Sequence, residues 1–180
     1  RCIPNMVICT PSDENETRQL LSTAYFYNGP ATVRYPRGTG PNKTIEKELK
    51  AFEIGKANVV TDYGSKIVIL NFGALLEEAC SVAKDLQITL IDMRFVKPLD
   101  EELLKKYLTK ADMFVSIEDG SVMGGAGSAV QEFCSRENIE IKSVLFGIPD
   151  TFIEHASRKE MLEEAGLTSK KIKSKIEDLL

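Results

Sequence analysis

The 180-residue sequence lacks any apolar run long enough to cross a bilayer. The longest apolar runs, such as residues 67–70, are far shorter than the roughly 20 residues that a membrane-spanning helix requires. No signal-peptide pattern opens the chain either. We therefore expect no membrane partner, and we expect the protein to be cytoplasmic.

Metal-binding side chains are scarce and scattered. Cys2, Cys9, Cys80 and Cys134 show no CxxC spacing, which disfavours zinc and redox motifs. Cys9 lies in an apolar strand pattern and the two later cysteines lie in helical patterns, so buried thiols in a reducing compartment are expected. The only histidine, His155, has no second histidine or cysteine beside it and is expected on a loop. We predict no metal site.

Excess positive charge is also absent. The chain has 23 Lys and Arg against 27 Asp and Glu, for a net charge of -4, so it has no bulk attraction to nucleic acid. The lysines of segment 170–175 are expected on the solvated face of an amphipathic terminal helix. With 43% hydrophobic residues the chain can bury a sizeable core.

The sequence lacks both common phosphate-binding fingerprints. The glycine-rich segment 123–129 does not follow the G-x-G-x-x-G spacing of dinucleotide-binding turns, and no GK[ST] motif occurs. A turn that leads into a helix could still bind an anion through free N–H groups. We favour the alternative, in which small residues let this helix lie close to the sheet or to a second subunit. We predict no catalytic and no cofactor-binding residue in the chain.

Apolar strand patterns alternate with amphipathic helix patterns along the chain. This alternation predicts an α/β fold with three layers, in which helices cover both faces of a mostly parallel sheet. Strands are predicted near 6–10, 31–35, 57–61, 66–71, 88–92, 112–117 and 141–146. The first helix is predicted to open at residues 10–13, with Thr10 as the cap and Pro11 in the first turn. A second helix is predicted after Gly73.

Segment 36–50 interrupts this alternation with glycine, proline and mixed charge. It is the candidate interdomain linker, and its short length predicts an ordered crossing over the surface.

Two groups of charged residues follow predicted strands. Glu118 and Asp119 could take part in acid/base chemistry or hold a cation. No partner base or nucleophile lies at a sequence spacing that supports either role. Asp92, Arg94 and Lys97 are predicted to lie where a strand enters a loop, and to form an intramolecular ion-pair network.

The most informative segment is PATVRYPRGTG, residues 30–40, a short apolar strand followed by two arginines, a proline and two glycines. Ligands of α/β proteins bind outside the carboxyl ends of the strands. The planar guanidinium of Arg37 can bind a phosphate through two hydrogen bonds, and Gly38 lets the chain turn without a Cβ clash. Solvent-exposed arginines would give the same local pattern.

Four further strings sharpen this interpretation. VRYPRG occurs with TPSDENETRQLL at 10–21, ILNFGALLEEA at 69–79, LIDMRFVKPLDEELL at 90–104 and EDGSVMGGAGSAVQEF at 118–133. In this order, and continuing through FGIPDTFIEHAS at 146–157, they resemble the carboxyl-terminal part of thiamine-diphosphate-dependent enzymes of the transketolase family.

The resemblance implies a division of the chain and a role for the whole enzyme. Residues 1–45 would be the end of the pyrimidine-binding middle domain and the start of a linker, and residues 46–180 the carboxyl-terminal domain. The enzyme would condense pyruvate with glyceraldehyde 3-phosphate and release CO₂, using thiamine diphosphate and Mg²⁺ that bind outside this chain. Arg37 matches the family arginine that contacts the acceptor phosphate, whereas Arg34 and Tyr35 receive no ligand role. A homodimer is implied, and the isolated chain would be inactive.

Two other functions stay open. A beta-type subunit of a 2-oxoacid dehydrogenase shares the implied architecture, but it would not be expected to contain VRYPRG. The chain could instead be a non-catalytic module that serves dimer contacts and scaffolding.

Overall fold

The computed structural model describes residues 1–180 and contains eight strands and six helices. The strands are β1 Val7–Cys9, β2 Ala31–Val33, β3 Asn58–Thr61, β4 Ile67–Phe72, β5 Thr89–Asp92, β6 Phe95–Lys97, β7 Met113–Ser121 and β8 Lys142–Ile148. The helices are α1 Glu14–Phe26, α2 Leu76–Leu86, α3 Glu101–Leu108, α4 Ala126–Arg136, α5 Arg158–Glu164 and α6 Ser169–Glu177. None of the helices is both long enough and apolar enough to cross a membrane.

The larger sheet has five strands in the order β3-β5-β4-β7-β8. Strands β5, β4, β7 and β8 are parallel, and only the edge strand β3 is antiparallel. All six residues of β4 are buried because apolar clusters cover both faces of the sheet, one against α3 and α4 and the other against α2 and α6. The predicted three-layer α/β fold is confirmed.

A second, three-stranded sheet has the order β2-β1-β6. Strands β1 and β2 are parallel, while β6 pairs antiparallel with β1. The prediction that residues 95–97 lie in a loop was wrong. Phe95 is fully buried against Val7, Cys9 and Leu20, and burial of this ring holds the three-residue strand on β1.

Helix α1 begins later than predicted. Its N-cap is Asp13, whose Oδ1 accepts the Glu16 N–H at 2.8 Å. The prediction of Thr10 as the cap was wrong, because the Thr10 hydroxyl donates to the Arg94 carbonyl at 3.3 Å instead. Helix α2 does follow Gly73, and it begins at Leu76.

The later part of the candidate linker segment lies along α1 as an ordered strap. Glu14 accepts the backbone N–H groups of Asn42 and Lys43 at 2.8 and 3.3 Å. Further along, Gln19 Oε1 accepts the Lys50 N–H at 2.6 Å. The strap, defined here as residues 42–52, therefore pairs several of its backbone groups with side chains of the helix.

The predicted buried thiols are confirmed for Cys9 and Cys134, which are 0% and 5% exposed, while Cys80 is partly buried and Cys2 is exposed. Burial raises the pKa of the Cys9 thiol to about 11. All four cysteines are free.

Candidate functional site

A cleft of about 430 Å³ lies between the two sheets, at the carboxyl ends of their parallel strands. Strands β1 and β2 contribute Thr10, Thr32 and Arg34, and the loop after β4 contributes Gly73 and Ala74. The opposite wall is formed by Glu118, Asp119, Gly124, Gly125 and Ala126. This is the edge at which α/β proteins bind ligands, as the sequence predicts for the VRYPRG segment.

Arg37 lies on the exposed loop next to this cleft. The arginine ion pairs of the chain involve Arg1, Arg94, Arg136 and Arg158, so the guanidinium of Arg37 is not neutralised by a carboxylate. It does not line the cleft itself, although its neighbours Tyr35 and Pro36 do.

Gly38 follows with a φ of 149°, a conformation in which an L side chain is strained. The turn after Arg37 therefore depends on glycine. The sequence interpretation of Gly38 as the residue that lets the chain turn agrees with this geometry.

Arg34, by contrast, enters the cleft. Its Nη1 and Nη2 atoms lie 3.5 and 3.6 Å from the point that a Cβ atom on Gly120 would occupy. The missing side chain at Gly120 thus leaves room for the guanidinium. Sequence reasoning gave Arg34 no ligand role, and the local pattern contains no signal that separates the two arginines.

Glu118 has a structural partner that explains its burial. Its carboxylate is 4% exposed and accepts the N–H groups of Ala126 and Gly127 at 2.8 and 2.9 Å. A carboxylate at this position satisfies two free donors and complements the positive end of the α4 dipole. The anion that binds the amino terminus of α4 is therefore part of the chain itself.

The glycines of this turn allow close packing. A Cβ atom on Gly127 would collide with the Ser116 side chain of β7, and one on Gly125 would collide with the Ser121 carbonyl and the Glu118 carboxylate. The prediction that small residues bring this helix close to the sheet is confirmed.

Asp119 connects the cleft wall to a distant segment. Its Oδ2 forms an ion pair with Arg158 Nη2 at 2.8 Å. Arg158 also lies against the loop that carries Arg37, since its Cδ is 3.8 Å from the point that a Cβ atom on Gly38 would occupy. Sequence reasoning missed Arg158, because about 120 residues separate it from the motif and no local pattern marks it.

A second, smaller cleft of about 270 Å³ lies on the other side of this loop. Its lining includes Pro36 and residues 38–41 of the loop, Asp13 and Glu14 at the start of α1, and Arg158.

A buried polar cluster lies beside the first cleft, between α1 and the larger sheet. Arg94 Nε forms an ion pair with Glu16 Oε1 at 2.6 Å, and the Asn71 amide donates to Asp92 Oδ1 at 3.1 Å. Burial, and next the nearby charge of Glu16, raise the pKa of the Asp92 carboxyl to about 8.

The predicted ion-pair network is therefore correct for Arg94 only. Asp92 is held by the Asn71 amide, and the Lys97 ammonium donates to the carbonyls of Arg1 and Ile3 at 2.9 and 2.7 Å.

The chain does not bring together three His, Cys, Asp or Glu side chains as a metal ion would require. The residues present consequently do not fit a Mg²⁺ diphosphate site.

Comparison with known proteins adds to this geometry. Residues 55–172 match the family described as "Transketolase, C-terminal domain". The 1-deoxy-D-xylulose-5-phosphate synthase of Pseudomonas fluorescens (strain Pf0-1) is 55% identical over 181 residues, and that of Pseudomonas syringae pv. syringae is 54% identical over 181 residues. Each alignment covers 100% of this chain but only 28% of the relative, so the chain spans less than a third of their length.

Two solved structures share the fold. A split-gene transketolase, described as an inactive beta4 tetramer, superposes with a TM-score of 0.86 at 31% identity, covering 99% of this chain and 58% of that one. The transketolase of Campylobacter jejuni superposes with a TM-score of 0.67 at 17% identity, covering 99% of this chain and 27% of that one.

Proposed function

Because the chain belongs to the transketolase family, whose carboxyl-terminal domain it contains at residues 55–172, we propose that it supplies the carboxyl-terminal portion of a synthase. This synthase condenses pyruvate with glyceraldehyde 3-phosphate to give 1-deoxy-D-xylulose 5-phosphate and CO₂. The 55% identity to the Pseudomonas fluorescens synthase over the whole chain supports this reaction above others of the family. The product would serve the synthesis of isoprenoid precursors, thiamine and pyridoxal.

Within that enzyme, Arg37 binds the phosphate of the acceptor. The observation that carries this proposal is an exposed guanidinium, without a neutralising carboxylate, on the loop at the carboxyl ends of β1 and β2. A phosphate lies away from the reacting carbonyl, so its binding energy can position the acceptor without hindering the chemistry.

Thiamine diphosphate and Mg²⁺ bind to parts of the enzyme other than these residues. The basis is the donor set, which offers no cluster of metal-ligating side chains. When bound, the cofactor would supply the carbanion chemistry of the condensation. The isolated chain is accordingly proposed to be inactive, and calorimetric titration with thiamine diphosphate and Mg²⁺ should give no saturable heat. Saturable binding would contradict this placement.

We also propose the division into residues 1–45, the end of the pyrimidine-binding domain with the start of the linker, and residues 46–180, the carboxyl-terminal domain. The enzyme would be a cytoplasmic homodimer. The inactive tetramer described for the split-gene transketolase supports the idea that a chain of this kind can associate without activity.

A chimera tests the proposed function. The chain replaces the 181 residues that it matches in the Pseudomonas fluorescens synthase, and release of CO₂ from pyruvate is measured with glyceraldehyde 3-phosphate as acceptor. The proposal predicts activity that depends on this acceptor. A folded chimera that decarboxylates pyruvate only with a lipoyl acceptor would indicate a 2-oxoacid dehydrogenase component instead.

A further inference from the structure

Arg158 lies beside the loop that carries Arg37. Its Cδ lies 3.8 Å from the point that a Cβ atom on Gly38 would occupy, and Gly38 follows Arg37 in the chain. It also lines the smaller cleft together with residues 38–41 of the loop. Folding thus brings a second guanidinium, from the start of α5, to the loop proposed to hold phosphate.

The guanidinium of Arg158 keeps donors free for a ligand. Its ion pair with Asp119 joins one nitrogen, Nη2, to one carboxylate oxygen at 2.8 Å. An arginine has five N–H donors, so this contact leaves the others available to an anion. The Arg158 side chain is 37% exposed, which is enough for a ligand to reach it.

The carboxylates of the smaller cleft are already engaged. Asp13 caps α1 by accepting the Glu16 N–H at 2.8 Å. Glu14 accepts the N–H groups of Asn42 and Lys43 at 2.8 and 3.3 Å. Both acidic groups therefore have donors within the chain, and Arg158 is the cationic side chain that lines this cleft.

We propose that Arg158 is a second arginine that binds the acceptor phosphate; this inference rests on the proposed function of the loop that carries Arg37. A phosphate dianion can accept hydrogen bonds from two guanidinium groups, and two arginines favour the dianion over a neutral group. The site thereby selects a phosphorylated acceptor over a free aldehyde sugar.

The test is a nuclear magnetic resonance titration of the 180-residue chain with inorganic phosphate and, separately, with glyceraldehyde 3-phosphate. Wild type is compared with Arg158→Ala, Arg158→Lys, Arg37→Ala and Asp119→Asn, and the amide spectrum reports folding for each variant. Arg136→Ala is the matched control, because Arg136 is an exposed arginine that pairs with Glu101 on α3.

Direct binding predicts that Arg158→Ala raises the phosphate Kd on the order of tenfold, the loss expected for a charged hydrogen bond. Arg158→Lys should give a smaller loss, because it keeps the charge but not the planar fork. Asp119→Asn should bind phosphate as tightly as wild type or more tightly, since it removes a competing anion. Arg136→Ala should bind like wild type.

Other results would overturn the inference. Equal losses of phosphate affinity in Arg158→Ala and Asp119→Asn would mean that the ion pair only stabilises the loop and that Arg158 does not bind phosphate. An unchanged Kd in Arg158→Ala, with weaker binding in Arg37→Ala, would remove Arg158 and leave the proposed function intact. The reverse pattern would support Arg158 and remove Arg37. No saturable binding by the wild-type chain would contradict both assignments.

Discussion

Asp92 shows how one side chain can make the stability of this chain depend on pH. It is 1% exposed, and burial together with the charge of Glu16 raises the pKa of its carboxyl to about 8 in the folded protein. The unfolded value is about 3.9. The folded state therefore holds this proton more tightly, and the stabilisation is fully present below about pH 4 and is lost progressively as the pH rises from there through about 8.

Asp92→Asn should remove this loss, because asparagine remains neutral and its side-chain oxygen can still accept from Asn71. Relative to wild type, the variant should gain free energy of unfolding between about pH 5 and about pH 9, on the order of a few kcal/mol. Urea denaturation across this range measures the difference. Parallel pH profiles for the two proteins would show that Asp92 does not keep its proton in the folded state.

At the scale of single residues, the sequence identified Arg37 as a candidate but could not place Arg158 beside the loop that carries it. Arg37 follows a recognisable strand end, whereas Arg158 comes near only because the segment before α5 folds back to Asp119. For the same reason, the sequence did not show that the Glu118 carboxylate accepts hydrogen bonds at the amino terminus of α4. This contact depends on how β7 and α4 pack.

The packing of α4 on the sheet gives a test at the scale of elements. A Cβ on Gly127 would collide with the Ser116 side chain and lie 2.8 Å from Leu145 Cδ2. Alanine improves helix propensity by about 1 kcal/mol, but overpacking of this kind costs about 1–3 kcal/mol. Ser116 is fully buried in a strand and has little room to move. The cost of the clash should therefore exceed the gain in helix propensity.

Gly127→Ala should accordingly lower the midpoint of urea unfolding. Gly120→Ala is the matched control in the same region, since its nearest contacts of 3.5 Å are ordinary van der Waals distances. Equal midpoints for Gly127→Ala and wild type would mean that α4 can lift from the sheet without cost.

The strap on α1 gives a second test at this scale. Glu14→Ala removes the acceptor for the amides of Asn42 and Lys43. Their hydrogen exchange should accelerate on the order of tenfold, as expected for the loss of a hydrogen bond. The Lys50 amide, which donates to Gln19 at 2.6 Å, is the internal control and should keep its rate. Uniform acceleration along the strap would contradict separate local anchors.

Regular elements were predictable where a pattern extends over enough residues. The apolar run of β4 and its partners carries a strong signal, because a strand buried on both faces is apolar throughout. Strand β6 has only three residues and ends before Pro98, so no periodicity distinguishes it from a loop. Its pairing with β1 is set by tertiary contacts, chiefly the burial of Phe95.

At the scale of the whole molecule, the two sheets meet so that one edge collects the carboxyl ends of β1, β2, β4 and β7. Strand β6 connects the two sheets. It follows β5 of the larger sheet in the chain, and it pairs with β1 of the smaller sheet. The cleft and the Arg37 loop thus lie on a connected frame, which favours a fixed position for a phosphate.

The most direct test of phosphate binding by Arg37 is acceptor kinetics of Arg37→Ala in the chimeric synthase, with glyceraldehyde 3-phosphate compared with unphosphorylated glyceraldehyde. If Arg37 binds the phosphate, kcat/KM for the phosphorylated acceptor should fall by an amount equivalent to about 1.5–3 kcal/mol, the range for a hydrogen bond to a charged group. The value for glyceraldehyde should not change. Wild-type kinetics with glyceraldehyde 3-phosphate, or equal losses with both acceptors, would contradict a phosphate-binding role for Arg37.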